Sequence, residues 1–119
     1  MSRYYDPNCA PVPEDWLELG EQDRITQAER YHRKNRIRLP NVKAHATFHA
    51  IIENQIAEGC EAVIRAMERL AEQRLSRHDC IHAIGWVLAQ HLHKLWTSES
   101  PDTKDVANAL YFAAVERLQ

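Results

Sequence analysis

Four histidines fall into two pairs spaced four apart, His45/His49 within NVKAHATFHAIIENQ and His78/His82 within SRHDCIHAIG. On an α-helix, residues at that spacing share a face, with Cβ atoms about 5–6 Å apart. Neutral imidazole is a common ligand for zinc, iron, copper and nickel. Two such pairs on facing helices would supply the nitrogens for a tetrahedral zinc, or three ligands and one open position. Water at an open position would bring metal-assisted hydrolysis into range. Glu53, one turn beyond His49, is a candidate fifth ligand or an outer acceptor that fixes an imidazole tautomer. Asp79 is the poorer candidate for either role, because Ser76-Arg77-His78-Asp79 fits a capping box. The cofactor implied is a transition metal, zinc or iron.

The same residues have a plainer reading. Buried histidines can be hydrogen-bonded to Glu53, Asn54, Gln55 or backbone carbonyls with no metal at all. A single His-x-x-x-His arises easily by chance. Two that both face inwards by periodicity raise the metal reading without displacing the plainer one. His91 and His93 are two apart and point in different directions, so they cannot share an ion and read as flank residues.

Composition narrows the classes. A chain of 119 residues suits one domain and is short for two. Hydrophobic residues at 45% and charged residues at 27% are near the averages for globular proteins. The three glycines leave no P-loop, G-x-G-x-x-G or G-x-S-x-G, so nucleotide and serine-nucleophile chemistry have no support. Three cysteines without C-x-x-C spacing argue against a zinc ribbon or a disulfide framework. A net charge of −2 gives no general attraction to nucleic acid, and no apolar run is long enough to span a bilayer or act as a signal peptide. The expected compartment is the cytoplasm, with neither nucleic acid nor membrane as partner.

The elements that would position the histidines follow from the pattern. Residues 1–12 read as an extended arm. Pro13-Glu14-Asp15 opens a short leading helix that Gly20 ends. Glu21 to about Arg36 is a helix with Ile25, Ala28 and Tyr31 or His32 on its apolar side. Its basic end, His32 to Arg36 and then Arg38, reads as cations at a helix C-terminus. Leu39-Pro40 stops it, and Asn41 caps a helix over Val42–Ala57 whose apolar stripe is Phe48, Ile51, Ile52 and Ile56. Gly59 caps its end. Cys60, Val63, Ile64, Met67 and Leu70 mark the next helix. The longest helix runs from Ser76 to about Trp96, with Ile81, Ile84, Leu88, Leu92 and Leu95 inwards. After a break at Ser98–Pro101, the last helix is expected to bury Val106, Ala109, Leu110, Ala113 and Leu118. The sum is an all-α fold, a compact bundle of about four principal helices with an N-terminal arm and a short leading helix, in one domain over residues 1–119.

The runs LPNVKAHATFHAIIENQIA and LSRHDCIHAIGWVLAQHL, with YYDPN and PEDWLELGEQDRI before them, resemble a family of small uncharacterised bacterial proteins, a domain of unknown function. The resemblance spans most of residues 4–95, and its spaced histidines are the most specific part. It implies a bacterial source and an all-helical domain, and no activity. His78-Asp79, with His45 or His49 roughly thirty residues earlier, is superficially similar to the metal-binding pattern of HD-type phosphohydrolases; the later Asp would have to be Asp102 or Asp105. Carboxylate sites of the hemerythrin and ferritin type need more Glu and a Glu-x-x-His motif, which the two histidine segments lack. Against a metal protein stands a non-enzymatic interaction module, a homodimer covering apolar surface at Trp86, Trp96, Tyr111 or Phe112.

Overall fold

The computed structural model describes residues 5–35, 41–97 and 104–118. The regular elements among them are all helices, so the all-α expectation holds. They are α1 (Pro13–Glu18), α2 (Glu21–Lys34), α3 (Val42–Ala57), α4 (Glu61–Glu72), α5 (Arg77–Thr97) and α6 (Lys104–Arg117). The chain divides into two compact units, Met1–Cys60 and Glu61–Gln119. No described helix is long and apolar enough to cross a membrane.

In the first unit α1 and α2 both pack on α3. Pro13 opens α1 with Glu14 and Asp15 in its first turn, and α2 carries acids in its first turn and His32, Arg33 and Lys34 in its last. Both charge patterns complement the helix dipole. Arg36, Arg38 and the Leu39-Pro40 stop lie outside the described residues. The Asn41 side chain accepts from the Ala44 backbone N–H at 3.0 Å, the N-cap the sequence calls for. The far end of α3 is a Schellman turn. Cys60 N–H reaches the Gln55 carbonyl at 2.9 Å and Gly59 N–H that of Ile56 at 3.1 Å, with Gly59 at φ 80°.

The core of this unit gathers Tyr5, Trp16, Ala28, Ala46 and Ala50. Alanines at the contact let helix axes approach closely. The buried face of α3 is therefore Ala46, His49, Ala50, Ile52 and Glu53, while Phe48, Ile51 and Ile56 are only half-buried. That face is narrower and more polar than the expected stripe. Residues 5–12 are non-helical, as expected of an arm, yet Tyr5 and Pro7 on it are buried.

In the second unit α4, α5 and α6 pack on one another. Val63, Ala66 and Leu70 are buried on α4, and Cys80, Ile81, Ile84, Val87 and Leu88 on α5. Ser76 Oγ accepts from Asp79 N–H at 3.1 Å, half of the predicted capping box. The expected face of α6 is wrong. Ala109, Leu110 and Ala113 are exposed, and Tyr111 and Val115 are buried instead. One large ring and a branched side chain bury more apolar area than a row rich in alanine. Arg69 fixes the end of α6 by donating to the carbonyls of Val115 at 2.9 Å and Leu118 at 3.2 Å. The break at Ser98–Pro101 and the side chains of Leu95, Trp96 and Val106 lie outside what is described.

Candidate metal centre

Within the first unit, α2 and α3 bring three imidazoles together. Ring centroids are 4.6 Å apart for His32 and His45, 4.7 Å for His32 and His49, and 4.8 Å for His45 and His49. His32 and His49 are buried and His45 is half-buried. The last pair follows from its spacing along α3. His32 joins from α2, one turn after the fully buried Ala28.

Hydrogen bonds fix which nitrogen of two of these rings carries the proton. His32 Nδ1 lies 2.7 Å from the Ala28 carbonyl, which can only accept, so Nδ1 is the donor. In the neutral ring the lone pair is then on Nε2. His49 Nδ1 lies 3.2 Å from the Tyr5 hydroxyl, and that hydroxyl gives its one proton to Glu53 Oε2 at 2.5 Å. The Tyr5 oxygen must therefore accept from His49 Nδ1–H, and His49 also presents a basic Nε2. His45 Nε2 is 3.1 Å from His49 Nε2. One proton on His45 bridges that gap. So would one metal ion, since two nitrogens on a tetrahedral zinc at about 2.0–2.1 Å stand about 3.3 Å apart.

The ligand atoms of His32, His45 and His49 all lie within 4.8 Å of one another. Glu53 is 1% exposed, and its described bond goes to Tyr5. In the second unit the His78 and His82 rings are tilted at a centroid distance of 4.2 Å on the first turns of α5, with their ligand atoms within 4.8 Å of each other. His91 donates to the Val87 carbonyl at 2.9 Å if Nδ1 carries its proton, and sits edge-on to Tyr111. His93 is exposed. Asp102 and the Asp105 side chain, needed for the HD-type reading, lie outside the described residues.

No protein-family model, curated protein or solved structure matches the chain. What the centre can do rests on its own chemistry. Imidazoles are nitrogen donors, which suit zinc, iron, copper and nickel and not the oxygen-seeking calcium or magnesium. On α5, burial first, and then Asp79, raises the Cys80 thiol above its ordinary value.

Two members of the centre escape sequence reasoning. Tyr5 sits on a segment without periodicity, so nothing local marks it as buried. His32 had a signal. Glu29-Arg30-Tyr31-His32 is a Glu-x-x-His run of the kind that carboxylate bundles use, although Glu29 itself pairs with Arg33 at 3.2 Å.

Proposed function

We propose that this protein holds one transition-metal ion on imidazole nitrogens. His32, His45 and His49, on α2 and α3, form the site. The observation that carries this reading is the pair of tautomers on α2 and α3. His32 and His49 are both held as Nδ1–H donors, so in both neutral rings the ligating lone pair is on Nε2. Zinc and iron fit the donor set, as do copper and nickel. Three ligands suit a site that admits water or substrate, and four suit a closed structural site.

Melting of tag-free protein tests the reading. A ligand at a hundred times its dissociation constant stabilises the folded chain by about 2.7 kcal/mol. Zinc should raise the melting temperature, a chelator should reverse the rise, and His49→Ala should abolish it. A melting temperature indifferent to metal and chelator contradicts the proposal.

One observation favours a second reading. The 3.1 Å separation of the His45 and His49 Nε2 atoms also fits a direct hydrogen bond. The chain His45–His49–Tyr5–Glu53 is then a metal-free network inside an interaction module. Trp86, 67% exposed, offers that module apolar surface for a homodimer, whereas Tyr111 is buried and offers none. A stable dimer whose sedimentation ignores chelator supports it.

A further inference from the structure

Tyr5 lies outside the helices, yet its hydroxyl is held from several sides. Its backbone N–H donates to Gln27 Oε1 at 3.2 Å. Its ring is tilted against Trp16 at 5.4 Å and edge-on to Tyr31 at 6.5 Å and to His49 at 6.0 Å. The hydroxyl is thereby aimed between His49 Nδ1 and the buried Glu53 carboxylate. Metal-bound imidazoles usually donate their second N–H to a carboxylate or carbonyl, which sets the tautomer and raises ligand basicity.

Resting on the metal reading above, we infer that Tyr5 and Glu53 are positioning residues for the ion, a relay that holds His49 in its ligating tautomer and returns negative charge towards the cation. A divalent ion on neutral imidazoles is a buried positive charge, and such charges need compensation. Glu53, reached through two hydrogen bonds, supplies it. His45 has the complementary task. Its Nε2 proton must leave before that nitrogen can bind, so the ion replaces the His45–His49 contact while the Tyr5 relay stays in place.

Cobalt(II) binding by the tag-free full-length chain tests the relay, with the visible d–d bands as readout. Tyr5→Phe keeps the ring and removes only the hydroxyl. It should lower Co2+ affinity by about 10–100-fold and shift the bands, and Glu53→Gln should do the same. In metal-free wild type, 15N shifts of His49 should report Nδ1–H, a preference that Tyr5→Phe loses. Wild-type affinity and bands in Tyr5→Phe overturn the relay and leave the metal site standing. No Co2+ bound by the wild type removes both. A His49 ring protonated on Nε2 in the metal-free wild type overturns the relay by itself, even if Glu53→Gln fails to fold.

Discussion

The Tyr5 hydroxyl donates to Glu53 Oε2 at 2.5 Å across 48 residues of chain. The bond ties the segment before the first helix to the middle of α3, at a carboxylate that is 1% exposed. A buried acceptor that loses its donor costs about 1–3 kcal/mol. Tyr5→Phe should therefore lower the unfolding free energy by that amount, read as a lower urea midpoint at unchanged slope. Tyr5→Ala, which also empties the ring's place beside Trp16, should cost about 3–5 kcal/mol. Equal midpoints for Tyr5→Phe and wild type would show that the bond does nothing for the fold.

Arg24 clips α1 to α3. Its Nε and Nη2 donate to the carbonyls of Leu19 at 3.0 Å and Leu17 at 2.8 Å, and its Nη1 to Asn54 Oδ1 at 3.0 Å. Trp16 Nε1 shares that oxygen at 2.9 Å. A planar fork makes these three bonds at once, and an ammonium cannot. Arg24→Ala and Arg24→Lys should both destabilise by about 1–3 kcal/mol in chemical denaturation. Full rescue by lysine would mean that charge alone matters there.

Two helix ends use the left-handed region, one with glycine and one without. Gly59 sits at φ 80° and Arg74 at φ 68°, where Arg74 N–H bonds the Ala71 carbonyl at 2.9 Å. An L side chain in that region costs about 1–2 kcal/mol, partly offset by the entropy that glycine loses on folding. Arg74→Gly should stabilise by about 0.5–1 kcal/mol. Gly59→Ala should destabilise by about 1 kcal/mol although no atom lies within 4 Å of the added Cβ. Thermal melts of the two variants should move in opposite directions.

The cysteines should react in order of access. Cys9 is exposed and Cys80 is buried, with its thiol held protonated to higher pH than usual by that burial and by Asp79. The thiolate is the nucleophile, so alkylation at pH 8 should modify Cys9 quickly and Cys80 only on unfolding. Peptide mapping after short and long exposure checks this. Early labelling of Cys80 would mean that α5 opens readily.

The helices were legible because their punctuation is strong: Pro13, Asn41, Gly59 and Ser76 stand where elements begin or end. The pairing of His45 with His49, and of His78 with His82, was legible because it is local geometry on one helix. What periodicity could not supply was tertiary. Tyr5 is buried by contacts 44 and 48 residues away, and nothing near it in sequence encodes them. On α6 the hydrophobic residues are spread around the helix, so Tyr111 and Val115 were chosen over Leu110 by packing and not by pattern. His32 was hidden in a run of cations, and its Nδ1 bond to Ala28 becomes visible only once the helix is formed.

The most direct measurement is metal analysis of protein purified without a His-tag, before and after dialysis against zinc. Ligand identity and count set the stoichiometry. About one equivalent of ion per chain is expected, falling sharply in His32→Ala and His49→Ala. Less than about a tenth of an equivalent of any transition metal after loading would contradict it and leave the imidazoles as a hydrogen-bonded network.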